Sequence, residues 1–148
     1  MTAAVFVDTN ILVYSRDASE VLKQPLARAW RDELWRRQAG RVSTQVLQEF
    51  YVTVTRKLKP GLPRELARRE VADLALWQPV NTSFELLEAA FELEDRHRLS
   101  FWDALIVAAA QAARCDVLLS EDLKSETVLG GVRVVNPFSM SPGELLDR

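Results

Sequence analysis

The stretch that decides the fold is AAVFVDTNILVY, residues 3–14. Its first part, Ala3–Val7, is a continuous apolar run, which is typical of a short strand buried on both faces. The polar residues Asp8–Asn10 end that run, and the apolar residues from Ile11 to Tyr14 indicate the start of a helix. The stretch therefore predicts a buried strand that leads at once into a helix, with an acidic residue at the junction.

The same pattern continues along the chain. Two further apolar runs, Val117–Leu119 and Val132–Val135, are also predicted to be buried strands. Residues spaced as in helices predict helices at 21–37, 44–57, 64–77, 83–98 and 101–114, a brief strand at 41–43, and a short strand or linker at 78–80. In the helix at 21–37 the residues predicted to face the core are Leu22, Leu26, Ala29, Trp30 and Leu34. Short strands alternating with helices predict an α/β fold, with one domain over residues 1–148 and a short parallel β-sheet sandwiched between α-helices.

Composition excludes several classes of protein. The chain has 148 residues, 48% of them hydrophobic, which is enough for a sizeable core and excludes a disordered chain. The single cysteine, Cys115, excludes an internal disulfide and zinc sites of the C-x-x-C type, and it favours a reducing compartment. The longest apolar run, Ala104–Ala110, is far shorter than the ~20 residues of a membrane span, and Ala3–Val7 is too short for a signal-peptide core. We expect a cytoplasmic protein without a membrane partner.

Charge is distributed unevenly. Residues 1–80 hold 13 basic and 9 acidic side chains, a net charge of 13 − 9 = +4, and residues 81–148 hold 6 and 12, a net charge of −6. The first basic cluster is Lys23, Arg28, Arg31, Arg36, Arg37 and Arg41, and the second is Arg56, Lys57, Lys59, Arg64, Arg68 and Arg69. Such groups neutralise nucleic-acid phosphates. The alternative is that both clusters are simply solvated helix faces.

Four acids occupy positions that need an explanation. Asp8 follows the first predicted strand, and Asp122 follows the second closely. Ligands of open α/β sheets bind outside the carboxyl ends of the strands, so these two acids are predicted to share a cleft. Asp103 is the charged residue of an otherwise apolar helix, and it is predicted to be buried against the sheet, where an ionised carboxylate needs a partner or a cation. Glu49 lies beside the apolar side of its own helix and is predicted to reach the interior.

Each acid also has a structural interpretation. Asp8 can cap the following helix, and Ser100 with Asp103 resembles a capping box. Asp122 can be a first-turn acid favoured by the helix dipole, and Glu49 can be a surface residue. A metal site explains all four together, because Mg²⁺ and Mn²⁺ prefer oxygen ligands and clustered carboxylates need a cation.

Other chemistries have less support. The one histidine, His97, lies at a predicted helix end, where a surface or structural role is expected. The five glycines form no phosphate-binding loop. The tryptophans are predicted to be core or dimer contacts rather than platforms for bases: Trp30, Trp35, Trp77 and Trp102.

Taken together, the motifs resemble one known family. The chain is similar to PIN-domain ribonucleases and, among them, to VapC-type toxins of bacterial toxin–antitoxin pairs. The motifs that carry the resemblance run in family order and cover most of the chain: VFVDTNILVY at 5–14, VSTQVLQEFYVTVTRKL at 42–58, LSFWDALIVAAA at 99–110, LLSEDL at 118–123 and GVRVVNPF at 131–138. The resemblance implies a PIN-like α/β/α fold and cleavage of RNA that depends on Mg²⁺ or Mn²⁺, with 5′-phosphate and 3′-hydroxyl products.

The resemblance also implies a site and partners. The residues that match the family's catalytic and metal-binding acids are Asp8, Glu49, Asp103 and Asp122, and those that match its supporting polar positions are Asn10 and Ser120. The implied partners are the RNA substrate, a VapB-like antitoxin that inserts an Arg or Lys near the acids, and a second copy of the chain in a homodimer. The chain departs from the family pattern at Lys124–Thr127, where a short polar stretch ending in glycine is usual. Glu121 is a fifth acid whose direction the sequence leaves open.

Three alternatives remain at this point. The first is a PIN nuclease for RNA maturation that has no antitoxin. The second is a phosphoryl-transfer α/β domain, but dehalogenase-like hydrolases need an acid where this chain has Asn10, and receivers usually need a Lys where Asn136–Phe138 follows the last strand. The third is a catalytically inactive module that keeps the fold and binds RNA or a protein.

Overall fold

A computed structural model describes residues 3–147 of the chain. The strands are β1 (Val5–Val7), β2 (Gly40–Arg41), β3 (Val117–Leu119), β4 (Val128–Leu129) and β5 (Val132–Val135). The helices are α1 (Thr9–Tyr14), α2 (Lys23–Arg37), α3 (Thr44–Val52), α4 (Arg64–Leu74), α5 (Phe84–His97), α6 (Phe101–Ala112) and α7 (Pro142–Leu146). A π-helical turn, Thr53–Lys57, extends α3, and a 3₁₀ turn, Ala75–Trp77, extends α4.

The strands form one mostly parallel sheet in the order β2-β1-β3-β5-β4. β1 pairs in parallel with β2 and with β3, where Val7 lies opposite Leu119, and β3 pairs in parallel with β5. The predicted α/β fold is therefore confirmed. β4 was not predicted, and it pairs antiparallel with β5 because Gly130 and Gly131 take positive φ angles of 56° and 83° in the turn between them.

Burial shows that helices cover both faces of the sheet. Every residue of β1 is at most 2% exposed, and successive side chains of a strand point to opposite faces. The predicted apolar helix α6 is buried throughout Ala104–Ala110 and packs against β3, β5 and α5. The burial of β1 confirms the prediction of a sheet sandwiched between helices, and it leaves the strand ends as the place where polar side chains can gather.

The predicted core-facing side of α2 was wrong in part. The buried residues of α2 are Ala27, Trp30 and Leu34, whereas Leu22, Leu26 and Ala29 are exposed. On the buried side, the indole Nε1 of Trp30 donates to the carbonyl oxygens of Pro137 at 2.9 Å and Met140 at 3.1 Å. These bonds satisfy a buried polar group and join α2 to the segment after β5, whereas Leu22 and Leu26 remain in solvent.

Other expectations are confirmed or corrected in detail. Ser43 caps α3 through its hydroxyl, which accepts from the backbone N–H of Val46 at 3.2 Å. The candidate at 78–80 contributes a single bridge between Ser43 and Val80, and the short helix α7 was not predicted. The side chains buried as predicted include Cys115, Trp30 and Trp77, whereas Trp35 and Trp102 are 37% and 62% exposed. Within residues 3–147, no helix combines the length and apolar character needed to cross a membrane.

Candidate active site at the carboxyl edge of the sheet

The candidate site lies where the strand order reverses. From β1 the chain goes on to β2 on one side, whereas from β3 it goes on to β4 and β5 on the other. The reversal therefore lies between β1 and β3, which is the usual ligand-binding position in open α/β sheets. The backbone N–H of Asp8 donates to Leu119 O at 3.0 Å, and that of Ser120 donates to Val135 O at 3.1 Å. The sheet ladder therefore continues one residue past β1 and β3 and holds Asp8 and Ser120 side by side.

Asp8 is the most enclosed member of the site, with 6% of its surface exposed. Its Oδ1 accepts from the backbone N–H of Thr9 at 2.7 Å, so Asp8 caps α1. Its Oδ2 accepts from Ser120 Oγ at 2.8 Å and from Asn10 Nδ2 at 3.2 Å. The cap and the candidate site are thus not alternatives, because each uses a different carboxylate oxygen.

Burial makes Asp8 a weaker acid than an ordinary aspartate. Desolvation raises its pKa from 3.8 to about 6, although the hydrogen bonds from Ser120 and Thr9 lower it. The nearby carboxylates of Asp122 and Glu49 raise it further through repulsion. The charged form of Asp8 is therefore held at a cost in free energy, which a bound cation would relieve.

Asp122 joins the same hydrogen-bonded network from an exposed position. Its Oδ2 accepts from Asn10 Nδ2 at 3.0 Å, and its backbone N–H donates to Ser120 Oγ at 3.2 Å. The Asn10 amide thus lies between Asp8 and Asp122, and Ser120 contacts both residues. The expectation of a first-turn acid was wrong for Asp122, because residues 121–123 form a bend rather than a helix.

Glu49 reaches the site from α3. It is exposed, which agrees with the surface interpretation of Glu49 and not with a position in the interior. Its Oε1 accepts from Thr9 Oγ1 at 3.1 Å, which connects it to the residue next to Asp8. Because α3 buries Val46 and Phe50 on one side, Glu49 projects from the edge of that side, at the rim of the site rather than in its floor.

Asp103 is held less firmly. It is half-buried rather than buried, because it lies in the first turn of α6, ahead of the fully buried segment. Ser100 Oγ accepts from its backbone N–H at 3.2 Å, but within residues 3–147 the Asp103 carboxylate forms no hydrogen bond or ion pair. α6 packs on β3 and leads back to its start, so the α6 N-terminus lies towards the carboxyl edge of the sheet.

The acids do not converge into a preformed metal site. Over the described range 3–147, no group of three Asp, Glu, His or Cys side chains is close enough to hold an ion. The structure brings together Asp8, Asn10, Ser120 and Asp122 by direct hydrogen bonds and adds Glu49 through Thr9. It does not connect Asp103 to them.

The fifth acid, Glu121, points away from this network. It accepts from the hydroxyl of Tyr14 and forms an ion pair with Lys23 Nζ, each at 2.5 Å. Burial alone would raise its pKa, but the Lys23 and Tyr14 donors together hold the pKa below its usual value. Its backbone N–H donates to Asn10 Oδ1 at 3.2 Å, so this contact also fixes the Asn10 amide.

Sequence reasoning missed the roles of Tyr14 and Lys23. Tyr14 lies one helical turn after Asn10, a spacing that places both side chains on one side of α1. Its ring packs edge-to-face against Phe138 with centroids 5.3 Å apart, and Lys23 Nζ lies 5.0 Å from its centroid. We call Tyr14, Lys23 and Glu121 the loop clamp, because they fasten the segment that carries Ser120 and Asp122.

Comparison with known proteins identifies the family. The model of the PIN domain matches residues 5–128, so the chain belongs to the PIN domain family, whose members generally use divalent metal ions. No curated protein matches the chain. Among solved structures, the chain is similar to a toxin–antitoxin complex from Klebsiella pneumoniae, with 26% identity over 91% of this chain and 98% of that one and a TM-score of 0.64.

A second solved structure has the same fold. It is VapC20 of Mycobacterium tuberculosis, a toxin that cleaves the sarcin–ricin loop, with 21% identity over 80% of this chain and 90% of that one. The TM-score is 0.59.

Proposed function

We propose that this chain is a metal-dependent endoribonuclease and the toxin of a VapC-type toxin–antitoxin pair. The observation that carries the proposal is the network in which Asn10 and Ser120 hold Asp8 and Asp122 together at the strand-order reversal of a PIN domain. We further propose that residues 1–148 act as one nuclease domain, since β5 and α7 lie beyond the matched range and still pack on it.

The residues of the site fit a hard divalent cation, Mg²⁺ or Mn²⁺. All four acids offer carboxylate oxygens, the ligand type that these ions prefer. The raised pKa of Asp8, about 6, reflects a buried negative charge without a cationic partner. We propose that Asp8, Asp103, Asp122 and Glu49 hold the ion, directly or through water, and that the helices bring Asp103 and Glu49 to it. When bound, the ion polarises the scissile phosphate and makes a coordinated water more acidic.

The chain's own residues have separate tasks in hydrolysis. Asn10 and Ser120 orient Asp8 and Asp122, so that little reorganisation is needed when substrate arrives. Glu49 Oε1 accepts from Thr9, which orients the other oxygen, Oε2, to take a proton from the attacking water. The water oxygen then bonds to phosphorus, the bond to the ribose 3′-oxygen breaks, and that oxygen gains a proton. The products are a 5′-phosphate and a 3′-hydroxyl.

The substrate and partners follow from the same proposal. Single-stranded or looped RNA is expected, because its bases are exposed to recognition. A VapB-like antitoxin would place an Arg or Lys near the acids and so neutralise them. The exposed Phe84, Phe91 and Trp102 of α5 and α6 support a homodimer, which sedimentation of the purified protein would test. We expect the protein to act in the cytoplasm, where its RNA would be.

The proposal is tested by RNA cleavage with purified protein. Wild type should cleave single-stranded or stem-loop RNA with Mn²⁺ or Mg²⁺ and stop in EDTA. Asp8→Asn and Asp103→Asn should each lose about 10³-fold in rate, as expected when a group that stabilises transition-state charge is removed. Asp116→Asn is the matched control, because Asp116 is exposed and precedes β3, at the opposite edge of the sheet.

Other outcomes would overturn parts of the proposal. Equal cleavage by wild type and Asp8→Asn would indicate a contaminating nuclease or a wrong site. A normal rate for Asp103→Asn would remove Asp103 from the catalytic set and leave a site of three acids. No cleavage of any RNA, together with no metal binding by titration, would favour an inactive binding module.

The toxin assignment needs a separate test. Induced expression of the wild type in a bacterial host should arrest growth, whereas Asp8→Asn should not. Coexpression of a small protein encoded directly upstream should restore growth and copurify with the chain. Growth arrest without such a reading frame would favour the alternative, a PIN nuclease for RNA maturation that has no antitoxin.

A further inference from the structure

The two basic clusters differ in how many of their charges are already neutralised. In the first cluster, Lys23 pairs with Glu121 and Arg31 pairs with Glu70. The remaining ion pairs of that cluster join Arg36 and Arg37 to Glu33, and Arg37 to Asp147. Most of its cations therefore already have an acidic partner within the protein.

The charges of the second cluster are not neutralised by acidic partners within the part of the chain that the structure describes. Within residues 3–147 none of its six cations forms an ion pair, and the side-chain hydrogen bond that involves it is from Arg68 Nε to Tyr51 Oη at 3.2 Å. Cations without an internal partner are the ones available to phosphates. The second cluster, rather than the first, is therefore the basic surface to consider for RNA.

One member of the second cluster borders the candidate site. Lys57 lies at the end of the π-helical turn and shares an open depression of about 280 Å³ with Glu49. The remaining lining residues are Gln48, Val52 and Thr53. The depression thus begins at an acid of the site and ends at an exposed ammonium group.

Helical spacing explains this arrangement. Glu49 and Thr53 are four residues apart, so they lie on one side of α3, and the π-helical turn Thr53–Lys57 leads from there to Lys57. Glu49 and Lys57 are therefore about two turns of the chain apart, and both line the depression.

We propose that Lys57 binds a backbone phosphate of single-stranded RNA beside the scissile bond, in the depression that runs from Glu49. This inference rests on the proposed nuclease function and adds a substrate subsite to it. Electrostatics supports the Lys57 end, because Lys57 is the cation among the residues that line the depression. Gln48, whose side-chain amide is uncharged and exposed, can donate to the same phosphate or to its ribose.

The experiment compares Lys57→Gln with wild type in cleavage and in binding. For an RNA that the wild type cleaves, Lys57→Gln should raise KM several-fold and leave kcat unchanged. The slope of log affinity against log salt, measured in EDTA by anisotropy with a labelled single-stranded RNA, should fall by about 0.7. Lys57→Arg should restore both. Arg36→Gln is the matched control, since it removes the same charge from a cation already paired with Glu33.

Each outcome decides the inference. An unchanged KM and salt slope would overturn it, and so would an equal effect of Arg36→Gln. A fall in kcat with KM unchanged would also overturn it, because Lys57 would then act on the chemistry through Glu49. If wild type binds RNA but cleaves none, a salt slope that still falls in Lys57→Gln would support the subsite while the nuclease proposal fails.

Discussion

The two halves of the acidic site are built differently. In the sheet half, Asp8 and Asp122 follow β1 and β3, and their carboxylates accept from Asn10, Ser120 and the backbone N–H of Thr9. In the helix half, Glu49 accepts one hydrogen bond and Asp103, among the described residues, accepts none. The sheet half is therefore organised by the fold itself.

This difference follows from what each backbone can offer. The parallel strands β1 and β3 end side by side, which brings Asp8 close to the donors Asn10 and Ser120. The free backbone N–H at the start of α1, that of Thr9, also donates to Asp8.

Glu49 lies beyond the first turn of α3, where the helix uses the backbone N–H groups for its own hydrogen bonds. Asp103 lies in the first turn of α6, but its backbone N–H donates to Ser100 Oγ rather than to a carboxylate. The comparison predicts that, in the metal-free protein, the buried charge of Asp8 in the sheet half lowers the free energy of unfolding. The carboxylates of the helix half, in contrast, should take up fixed positions when cation and substrate bind.

The largest contrast should be in stability against pH. The pKa of Asp8 is about 6 in the folded protein and 3.8 in its ordinary state, so folding takes up a proton between these values. In the metal-free protein, Asp8 should therefore add to stability as the pH falls from 7 to 4, by up to about 3 kcal/mol. Asp8→Asn should lack this gain and be more stable at pH 7.5, whereas Asp103→Asn should keep it. Urea unfolding in EDTA measures both.

The contributions of the other titrating groups cancel when the free energies of unfolding of wild type and variants are subtracted. Glu33, for example, has a pKa of about 2, lowered by hydrogen bonds from Arg36 and Arg37, and it titrates equally in all three proteins. If Asp8→Asn and wild type lose or gain the same free energy between pH 7 and pH 4, then Asp8 does not carry the predicted cost and the contrast between the halves fails.

A smaller effect is expected when the sheet half loses one donor. Ser120→Ala removes the buried hydroxyl that donates to Asp8 and accepts from Asp122. Loss of such a supporting group typically lowers metal affinity or activity by roughly 10- to 100-fold. Because the Ser120 hydrogen bond lowers the pKa of Asp8, its loss should also move the acid limb of the pH–rate profile to higher pH.

The control is Ser139→Ala, which removes an exposed hydroxyl from the segment after β5. Its metal affinity, activity and pH–rate profile should match those of wild type. A reduced rate for Ser120→Ala with an unchanged acid limb would show that Ser120 contributes to packing alone and does not set the ionisation of Asp8.

The sheet half could be predicted from the sequence better than the helix half. An apolar run that ends in an acid identifies both a buried strand and its carboxyl end, which is why Asp8 and Asp122 were placed correctly near each other. Helix caps were equally visible, since Ser43, Ser83 and Ser100 each accept from the backbone N–H three residues on. In both cases the signal lies within a few neighbouring residues.

The rest depends on contacts between distant parts of the chain. Periodicity placed Leu22 and Leu26 on the core-facing side of α2, whereas the structure buries Ala27 with Trp30, whose hydrogen-bond acceptors lie near the other end of the chain. The two-residue strand β4 exists because of a glycine turn. The burial of Asp103 was overestimated because helix composition does not show where the packed segment of the helix begins.

The smallest effect is expected at the loop clamp, which fastens the sheet half from outside. Lys23→Met removes the cation from Glu121, and Tyr14→Phe removes the hydroxyl donor. Since Lys23 and Glu121 are partly exposed and solvent screens the pair, its contribution is small, so cleavage should fall by no more than about fivefold. The two changes should not add, because both release the same loop. Arg96→Met, which breaks a surface pair with Glu92 on α5, should leave cleavage unchanged. Additive losses in cleavage rate would mean that Tyr14 and Lys23 act independently. The loop clamp would then not be a single structural unit.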